Sequence, residues 1–480
     1  MIKVLIGMVR TKIAAILIGP AGMGILAICN NLEGLAAVFS GFGLNSSGIK
    51  AIAEKVSEND AAGLEKLVSI LRLAVWLTGL FGLVVMVLLC YPLAWYSFGD
   101  KSFAWMVALL GIGVALNVIS MGQQGILQGM RRIGDLAWIG IGMAIGSTLI
   151  AIPCYYFLGM NGIALSLTLG AGIGFLFSSY YVHKLMLPYV KPTWLEFRNQ
   201  FCSLFRLGIS FAIAALFNLF ASYLILILIN RQLGLKGSGM YQAAFGLTGV
   251  LINFVLTAMS TDYFPRLAGE CKNPEKMCRT MREQARISLF LVLPGLLAMM
   301  ILSPLLIKIF YSDEFSPAAF LLQLFTFGAL IRSMSWSLGF VLLAVGQGTW
   351  FMLSEITPSI VHVVAVYIGL RFGGLPGAAL GYAGMYIFYI VFVSIVVYRR
   401  TGLAFGKYES FCLLGGLAIL GAILSLRFCH LPRIADWSIC FAVFALAGFV
   451  CLKLLMKQTG LDVAWVKDYC GKFVKRIQKK

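Results

Sequence analysis

The sequence predicts an all-α polytopic membrane protein of about fourteen transmembrane helices, built from two six-helix bundles in parallel repeat plus two extra C-terminal helices. Three observations predict it. The chain is 60% hydrophobic and 12% charged, with a mean hydropathy of +0.92. Soluble domains carry about 25% charged residues, so a soluble globular enzyme is excluded. Apolar runs near twenty residues, the length that crosses a bilayer, recur along the whole chain. Glycine-bearing motifs also recur at an offset near 215 residues.

The first hairpin poses the functional question. An apolar run over residues 2–18 carries Lys3, Arg10 and Lys12, ends at Gly19-Pro20-Ala21-Gly22, and leads into a second run carrying Asn30, Asn31 and Glu33. At helical rise, and with the turn centred near Pro20, these polar groups fall at nearly the same depth, near the middle of a bilayer. Cations there are costly and usually face a cavity or a partner. Further spans are expected at 68–97, 103–128, 134–158, 160–182, 207–230, 238–262, 287–307, 316–344, 348–370, 374–398, 410–426 and 437–452, the second span being 22–48. No cleavable signal peptide is evident, because the first run passes directly into the next span.

Topology follows from the basic residues. Loops after even-numbered spans hold 18 Lys and Arg, against 7 after odd-numbered spans. The positive-inside rule therefore puts both termini in the cytoplasm. This asymmetry accounts for much of the net charge of +19, which gives no reason to invoke nucleic acid. The segment beyond Lys453 mixes apolar and basic residues and is expected to form an amphipathic cytoplasmic tail on the membrane surface.

The repeat pairs Gly22-Met23-Gly24 with Gly237-Ser238-Gly239, Gly129 with Gly346, and Gly162-Ile163-Ala164-Leu165 with Gly377-Ala378-Ala379-Leu380. An even unit of six spans returns the chain to the same side, so the copies are expected to be parallel about an axis along the membrane normal, with the substrate path between them. The expected organisation is 1–182 as the N-terminal bundle, 183–206 as a cytoplasmic linker, 207–400 as the C-terminal bundle, 409–452 as the extra helix pair and 453–480 as the tail.

Candidate chemistry lies in the intramembrane polar residues. Arg10, Lys12 and Lys3 in span 1 and Arg332 in span 10 are the cations; Glu33, Glu355 and Asp262 are the carboxylates available as counter-charges or for coupling to Na+ or H+. Asp262 and Arg266 stand at i, i+4, the spacing of a local ion pair. Amides follow along span 4 (Asn117, Gln123, Gln124, Gln128) and spans 7 and 8 (Asn218, Gln242, Asn253). Of these groups, Arg10, Lys12, Lys3, Arg332, Asn30, Asn31 and Gln124 are the expected substrate-binding residues. Guanidinium suits phosphate through its planar fork, and amides suit sugar hydroxyls. The bland alternatives are buried ion pairs for the cations, an inner-surface anchor for Lys3 and interhelical hydrogen bonds for the amides. The eleven cysteines and three histidines form neither a metal nor a disulfide pattern. No phosphate-binding Gly-x4-Gly-Lys-Ser/Thr loop occurs, so energy is expected from an ion gradient, the membrane potential or the substrate gradient, and no cofactor is expected.

The run Val9-Arg10-Thr11-Lys12, followed by Ile18-Gly19-Pro20-Ala21-Gly22-Met23-Gly24, Phe42-Gly43-Leu44-Asn45 and the stretch 48–54, resembles the first hairpin of Wzx-type lipid-linked oligosaccharide (O-antigen) flippases. These form the polysaccharide-transport branch of the multidrug/oligosaccharidyl-lipid/polysaccharide (MOP) exporter superfamily. The resemblance covers spans 1–12 and is specific only in the first hairpin. It implies two bundles in a V, alternating access, an undecaprenyl-pyrophosphate-linked glycan as cargo and a bacterial inner membrane as location. A monomer is expected, with the bilayer and other polysaccharide-assembly membrane proteins as partners. Two departures stand out: many Wzx proteins have twelve spans, as against fourteen here, and the segment before span 1 is short. The alternative is a MATE-like ion-coupled exporter of small amphipathic compounds, whose cavity should be acidic. A membrane glycan polymerase or ligase would be expected to carry a sizeable outer loop, and the outer loops here reach only about a dozen residues.

Overall fold

The computed structural model of the protein describes residues 2–186, 188, 190–271, 273–426 and 433–459. The expected tail beyond residue 459 lies outside the described residues. Among those described, the elements are α1 (Ile2–Gly41), α2 (Leu44–Ser57), α3 (Ala61–Leu88), α4 (Cys90–Phe98), α5 (Ala104–Gly129), α6 (Ile133–Leu158), α7 (Gly162–His183), α8 (Trp194–Gly269), α9 (Pro274–Ile301), α10 (Ser303–Phe310), α11 (Ala318–Ala344), α12 (Gly348–Thr401), α13 (Lys407–Leu426) and α14 (Arg433–Thr459), with no strand.

The described residues contain 10 helical stretches long and apolar enough to cross a membrane. Four of them, Lys3–Gly41, Ile133–His183, Ala212–Gly269 and Gly348–Thr401, run 39 to 58 residues, about twice the length a bilayer needs. Each contains a glycine with positive φ: Gly19 (62°), Gly159 (54°), Gly234 (72°) and Gly374 (56°). Counting each of the four as two spans gives fourteen, the expected number.

Local sequence explains several boundaries. Asp60 caps α3 by accepting from the Gly63 amide at 2.9 Å, and Asn273 caps α9 by accepting from the Lys276 amide at 3.1 Å, with Pro274 in the first turn. The second span, expected to run to residue 48, ends at Gly41. There Phe42 (φ 48°) and Gly43 (φ 69°) both turn left-handed. A Cβ on Gly43 would lie 2.1 Å from the Gly208 carbonyl oxygen, so the chain turns where two backbones touch.

The described chain packs as two compact units. The first is Met1–Gln242 with Ile307–Ser316; the second is Ala243–Leu306 with Pro317–Lys480. In the first, α5 packs on α3 and α7, α7 packs on α6, and α1 lies against α3, α5 and α6. Leu67, Ile70, Leu71, Ile126 and Leu127 form a core at one end of these helices. The start of α8 adds Phe197 and Leu204 to that core. In the second, α11 packs on α12 and α9. Of the extra helices, α13 lies on α9 and α11 and α14 lies on α9, with Leu420 and Ile423 joining Val292, Leu296, Leu297 and Leu330 in one core. Arg286 Nε donates to the buried Glu409 at 2.6 Å, and the Gly406 amide donates to Glu409 at 2.7 Å, which fixes the start of α13. In lipid these contacts hold by close packing rather than by water exclusion.

The backbone repeats itself. Positive φ recurs at Gly19 and Gly234, at Arg131 and Gly346, and at Gly159 and Gly374, each pair 215 residues apart. A Cβ on Gly162 would lie 2.1 Å from the Cys154 carbonyl oxygen, and one on Gly377 would lie 1.9 Å from that of Gly369, both members again shifted by 215. The sequence match of Gly129 with Gly346 is thus refined: the residue whose backbone matches Gly346 is Arg131. Within the first unit the repeats also meet reciprocally. A Cβ on Gly24 would lie 2.2 Å from the Leu235 carbonyl oxygen, and one on Gly239 would lie 1.9 Å from the Pro20 carbonyl oxygen. Residues 24 and 20 map onto 239 and 235 at that same offset, so this is an isologous contact between the two copies.

Candidate functional site

Two polar centres lie inside the membrane-spanning helices, one in each unit. In the first unit the centre is Glu33, 6% exposed, on the second half of α1. Its Oε1 accepts a hydrogen bond from Asn117 Nδ2 of α5 at 2.6 Å. One turn before Asn117, a Cβ on Gly113 would lie 2.8 Å from that oxygen, so the glycine makes room for the carboxylate. Arg10, on the first half of α1, donates from Nη1 to Ser147 Oγ of α6 at 3.2 Å. Arg10 lies within electrostatic reach of Glu33. No carboxylate among the described residues stands within 4 Å of it.

The other first-hairpin candidates separate from this centre. Lys12 turns away from Glu33 and donates to the carbonyl oxygens of Lys308, at 2.6 Å, and of Tyr311. Asn31 donates to the Ala27 carbonyl one turn back, at 2.9 Å, while Asn30 and Lys3 are exposed. Gln124 bonds Ser120 Oγ at 3.0 Å and lies against the Met143 sulfur, both within the first bundle.

In the second unit the centre is Arg332 of α11. Its Nη2 donates to Asn253 Oδ1 of α8 at 2.8 Å, and it lies within hydrogen-bonding reach of Tyr382 of α12. Glu355 is felt electrostatically by Arg332, without any ion pair at 4 Å among the described residues. Tyr382, Tyr386 and Tyr389 form a stripe, with ring centroids 4.9 Å and 6.1 Å apart along it. The His362 ring stands 5.7 Å from Tyr382, and its Nε2 is buried without a hydrogen-bond partner among the described residues. Asp262 is exposed, and its expected partner Arg266 pairs instead with Glu283 of α9 at 3.6 Å. Glu283 also takes Arg279, one turn earlier on α9, at 2.8 Å, and so gathers one cation from its own helix and one from α8.

Sequence reasoning passed over Ser147, His362 and the tyrosine stripe. Two signals carry them. The stripe has helical spacing, 382, 386 and 389. The offset of 215 maps Asn117 onto Arg332 and Ser147 onto His362.

Outside the membrane, the start of α8 is fastened to α3. Lys66 bonds Glu196 directly, and the Thr193 amide adds a bond at 3.1 Å. These two interactions, the lysine first, hold the Glu196 carboxyl down to about 2.

Known proteins share this framework. Residues 1–269 match the family described as "Polysaccharide biosynthesis protein". The chain is 23% identical over 404 residues to the Lipid III flippase of Escherichia coli (strain K12), covering 81% of this chain and 93% of that one. Its fold resembles that of the Lipid II flippase MurJ in an inward closed conformation, with a TM-score of 0.73 at 13% identity over 95% of this chain and 97% of that one. It also resembles an inward-facing multidrug resistance MATE family transporter of the MOP superfamily, with a TM-score of 0.71 at 17% identity over 83% and 94% of the two chains. The MOP-type fold that the first hairpin implied is therefore present. The family match spans more than half of the 480 residues, and the protein belongs to the polysaccharide biosynthesis protein family.

Proposed function

We propose that this multi-pass membrane protein is a flippase. Its cargo is an undecaprenyl-pyrophosphate-linked oligosaccharide, an O-antigen or similar repeat unit, moved from the inner to the outer leaflet of a bacterial inner membrane by alternating access. Both termini face the cytoplasm in this reading, and the chain works as a monomer and a transporter rather than an enzyme. The observation that carries the proposal is the state of the two intramembrane arginines. Arg10 and Arg332 are each held by neutral groups, Ser147 and Asn253, and neither has a carboxylate within 4 Å among the described residues. A purely structural arginine at this depth is ordinarily neutralised by a partner, because a lone charge in hydrocarbon is costly. Two guanidinium groups positioned by hydrogen bonds, with no carboxylate in direct contact, suit a pyrophosphate, which their planar forks can grip bidentately.

Glu33 and Glu355 stand near enough to moderate that attraction, so that cargo can leave. They are also the better placed carboxylates for a coupling Na+ or H+, since Asp262 is exposed. Two relatives whose names contain "flippase" add weight to the choice of cargo class. The test is reconstitution. In liposomes carrying a fluorescent undecaprenyl-pyrophosphate oligosaccharide, the protein should move the probe between leaflets faster than empty liposomes do. Movement of a lipophilic cation instead, with none of the lipid-linked probe, would establish the MATE-like alternative.

A further inference from the structure

The reciprocal glycine contact of the first unit is flanked by two clasps that the transport reading does not use. Lys12, on the first span of repeat one, donates to the Lys308 and Tyr311 carbonyls where α10 of repeat two ends. Arg231, on the first span of repeat two, donates to the Tyr96 carbonyl at 3.2 Å, where α4 of repeat one ends. Asn230 beside it donates to the Ser97 carbonyl at 2.9 Å. Tyr96 and Tyr311 are 215 residues apart, so the two clasps grip the same carbonyl of the same short helix in each repeat. The cations come from positions one turn apart: residue 231 maps onto 16, four residues after Lys12. Every residue named here belongs to the first unit, and the exchange explains why Ile307–Ser316 packs with that unit while the chain on either side of it packs with the other.

The physics is the same on both sides. The last carbonyls of a helix lack intrahelical partners and carry the negative end of the helix dipole, so a cation is favourable there. Arg231 is further held over the Trp95 and Tyr96 rings, at 5.5 Å and 5.1 Å from their centroids. Gly24 and Gly239 leave no room for a side chain at the centre. Side-chain-to-carbonyl bonds of this kind involve no buried ion pair and can open without stranding a charge against a charge.

The geometry points to a gate: the Lys12 and Arg231 clasps, with the glycine contact between them, close the outer end of the transport path. Lys12 is then a gating residue, not a cargo ligand. The inference rests on the flippase reading for its orientation and for its use. The test places a single reporter thiol, Ser147→Cys, in the full chain and measures its labelling from the outer face of intact cells by a membrane-impermeant thiol reagent, over the background of the native cysteines. Lys12→Met combined with Arg231→Met should raise the outside labelling rate about tenfold, the change that follows from losing roughly 1.4 kcal/mol of closure. Lys12→Arg combined with Arg231→Lys should restore slow labelling. Equal rates in the parent and the Met/Met variant overturn the gate, as does fast labelling in the charge-conserving variant. If the Met/Met protein fails to accumulate, Arg231→Met alone carries the same comparison, with a several-fold rise expected and an unchanged rate contradicting the gate. Glycan delivery, scored in parallel in the same proteins with Ser147 restored, separates the two readings. Faster labelling in a protein whose parent delivers no glycan leaves the gate standing and removes the cargo. Unchanged labelling in a protein that delivers glycan does the reverse.

Discussion

The two polar centres share two positions of the repeat and fill them with different side chains. At position 117 the first repeat places an amide that donates to buried Glu33; 215 residues on, the second repeat places Arg332, which donates to Asn253. At position 147 a serine hydroxyl receives Arg10, and its counterpart is His362, buried beside Tyr382. Three backbone breaks recur to the residue at the 215 offset, while the side chains at matching positions differ. The scaffold positions fix where polar groups can sit in the membrane, and each half then sets its own charge. Each unit thus carries a guanidinium with a carboxylate within electrostatic reach, the pairing that the proposed function uses to bind an anion and let it go.

Exchanging the two centres should have a large effect, second only to the loss of Arg10. Arg332→Asn gives the second centre the amide of the first and removes a charge-assisted grip of about 2 to 3 kcal/mol. Surface glycan should fall roughly 30- to 150-fold while the protein still inserts. Asn117→Arg places a cation beside Glu33. It should lower delivery less, about tenfold, by creating a sealed ion pair where none exists. If both substitutions leave delivery intact, the centres are structural and the contrast between them has no bearing on transport.

The smallest effect concerns the cytoplasmic attachment of α8 to the first unit. The Glu196 carboxyl is held down to about 2 from an ordinary value near 4.5. A depressed carboxylate adds stability above its unfolded value and loses it as pH falls through its folded value. Protease cleavage within residues 190–193 should therefore be slow and constant above about pH 4.5 and should speed up as pH falls toward about 2. Lys66→Met should weaken the pH dependence, leaving the part that the Thr193 amide contributes, and raise cleavage at pH 7 by a small factor only, since the pair is exposed and screened. Cleavage of the Lys66→Met protein with the parent's pH profile would show that the attachment rests on Phe197 and Leu204 instead.

The fold was legible because its signals are local and periodic. Apolar runs set the spans, and Gly19, Gly234 and Gly374 mark breaks that only glycine adopts readily. Phe42 and Arg131 take positive φ without any residue preference to announce it, so the end of the second span and the true partner of Gly346 were not readable. The site was half legible. Arg10, Glu33 and Arg332 stand out as charges in apolar runs, whereas their partners are set by packing over long separations: 137 residues for Arg10 and Ser147, 299 for Lys12 and Tyr311. Lys12 and Arg10, two residues apart, are alike in sequence, and helical geometry sends one to a hydroxyl and the other to a helix end. The Asp262 and Arg266 spacing was sound, but Glu283 on a neighbouring helix offered Arg266 a partner that the spacing could not reveal.

The central claim is that intramembrane guanidinium groups with no carboxylate in direct contact grip an anionic cargo, and Arg10 tests it most directly. Surface glycan delivery should be measured in cells expressing the parent, Arg10→Ala and Arg10→Lys at matched membrane levels. Arg10→Ala should lose delivery about 100-fold or more, and Arg10→Lys should keep part of it, because charge survives while the bidentate fork is lost. Delivery by Arg10→Ala equal to that of the parent would contradict the account and leave the bond to Ser147 as a helix contact with no part in transport.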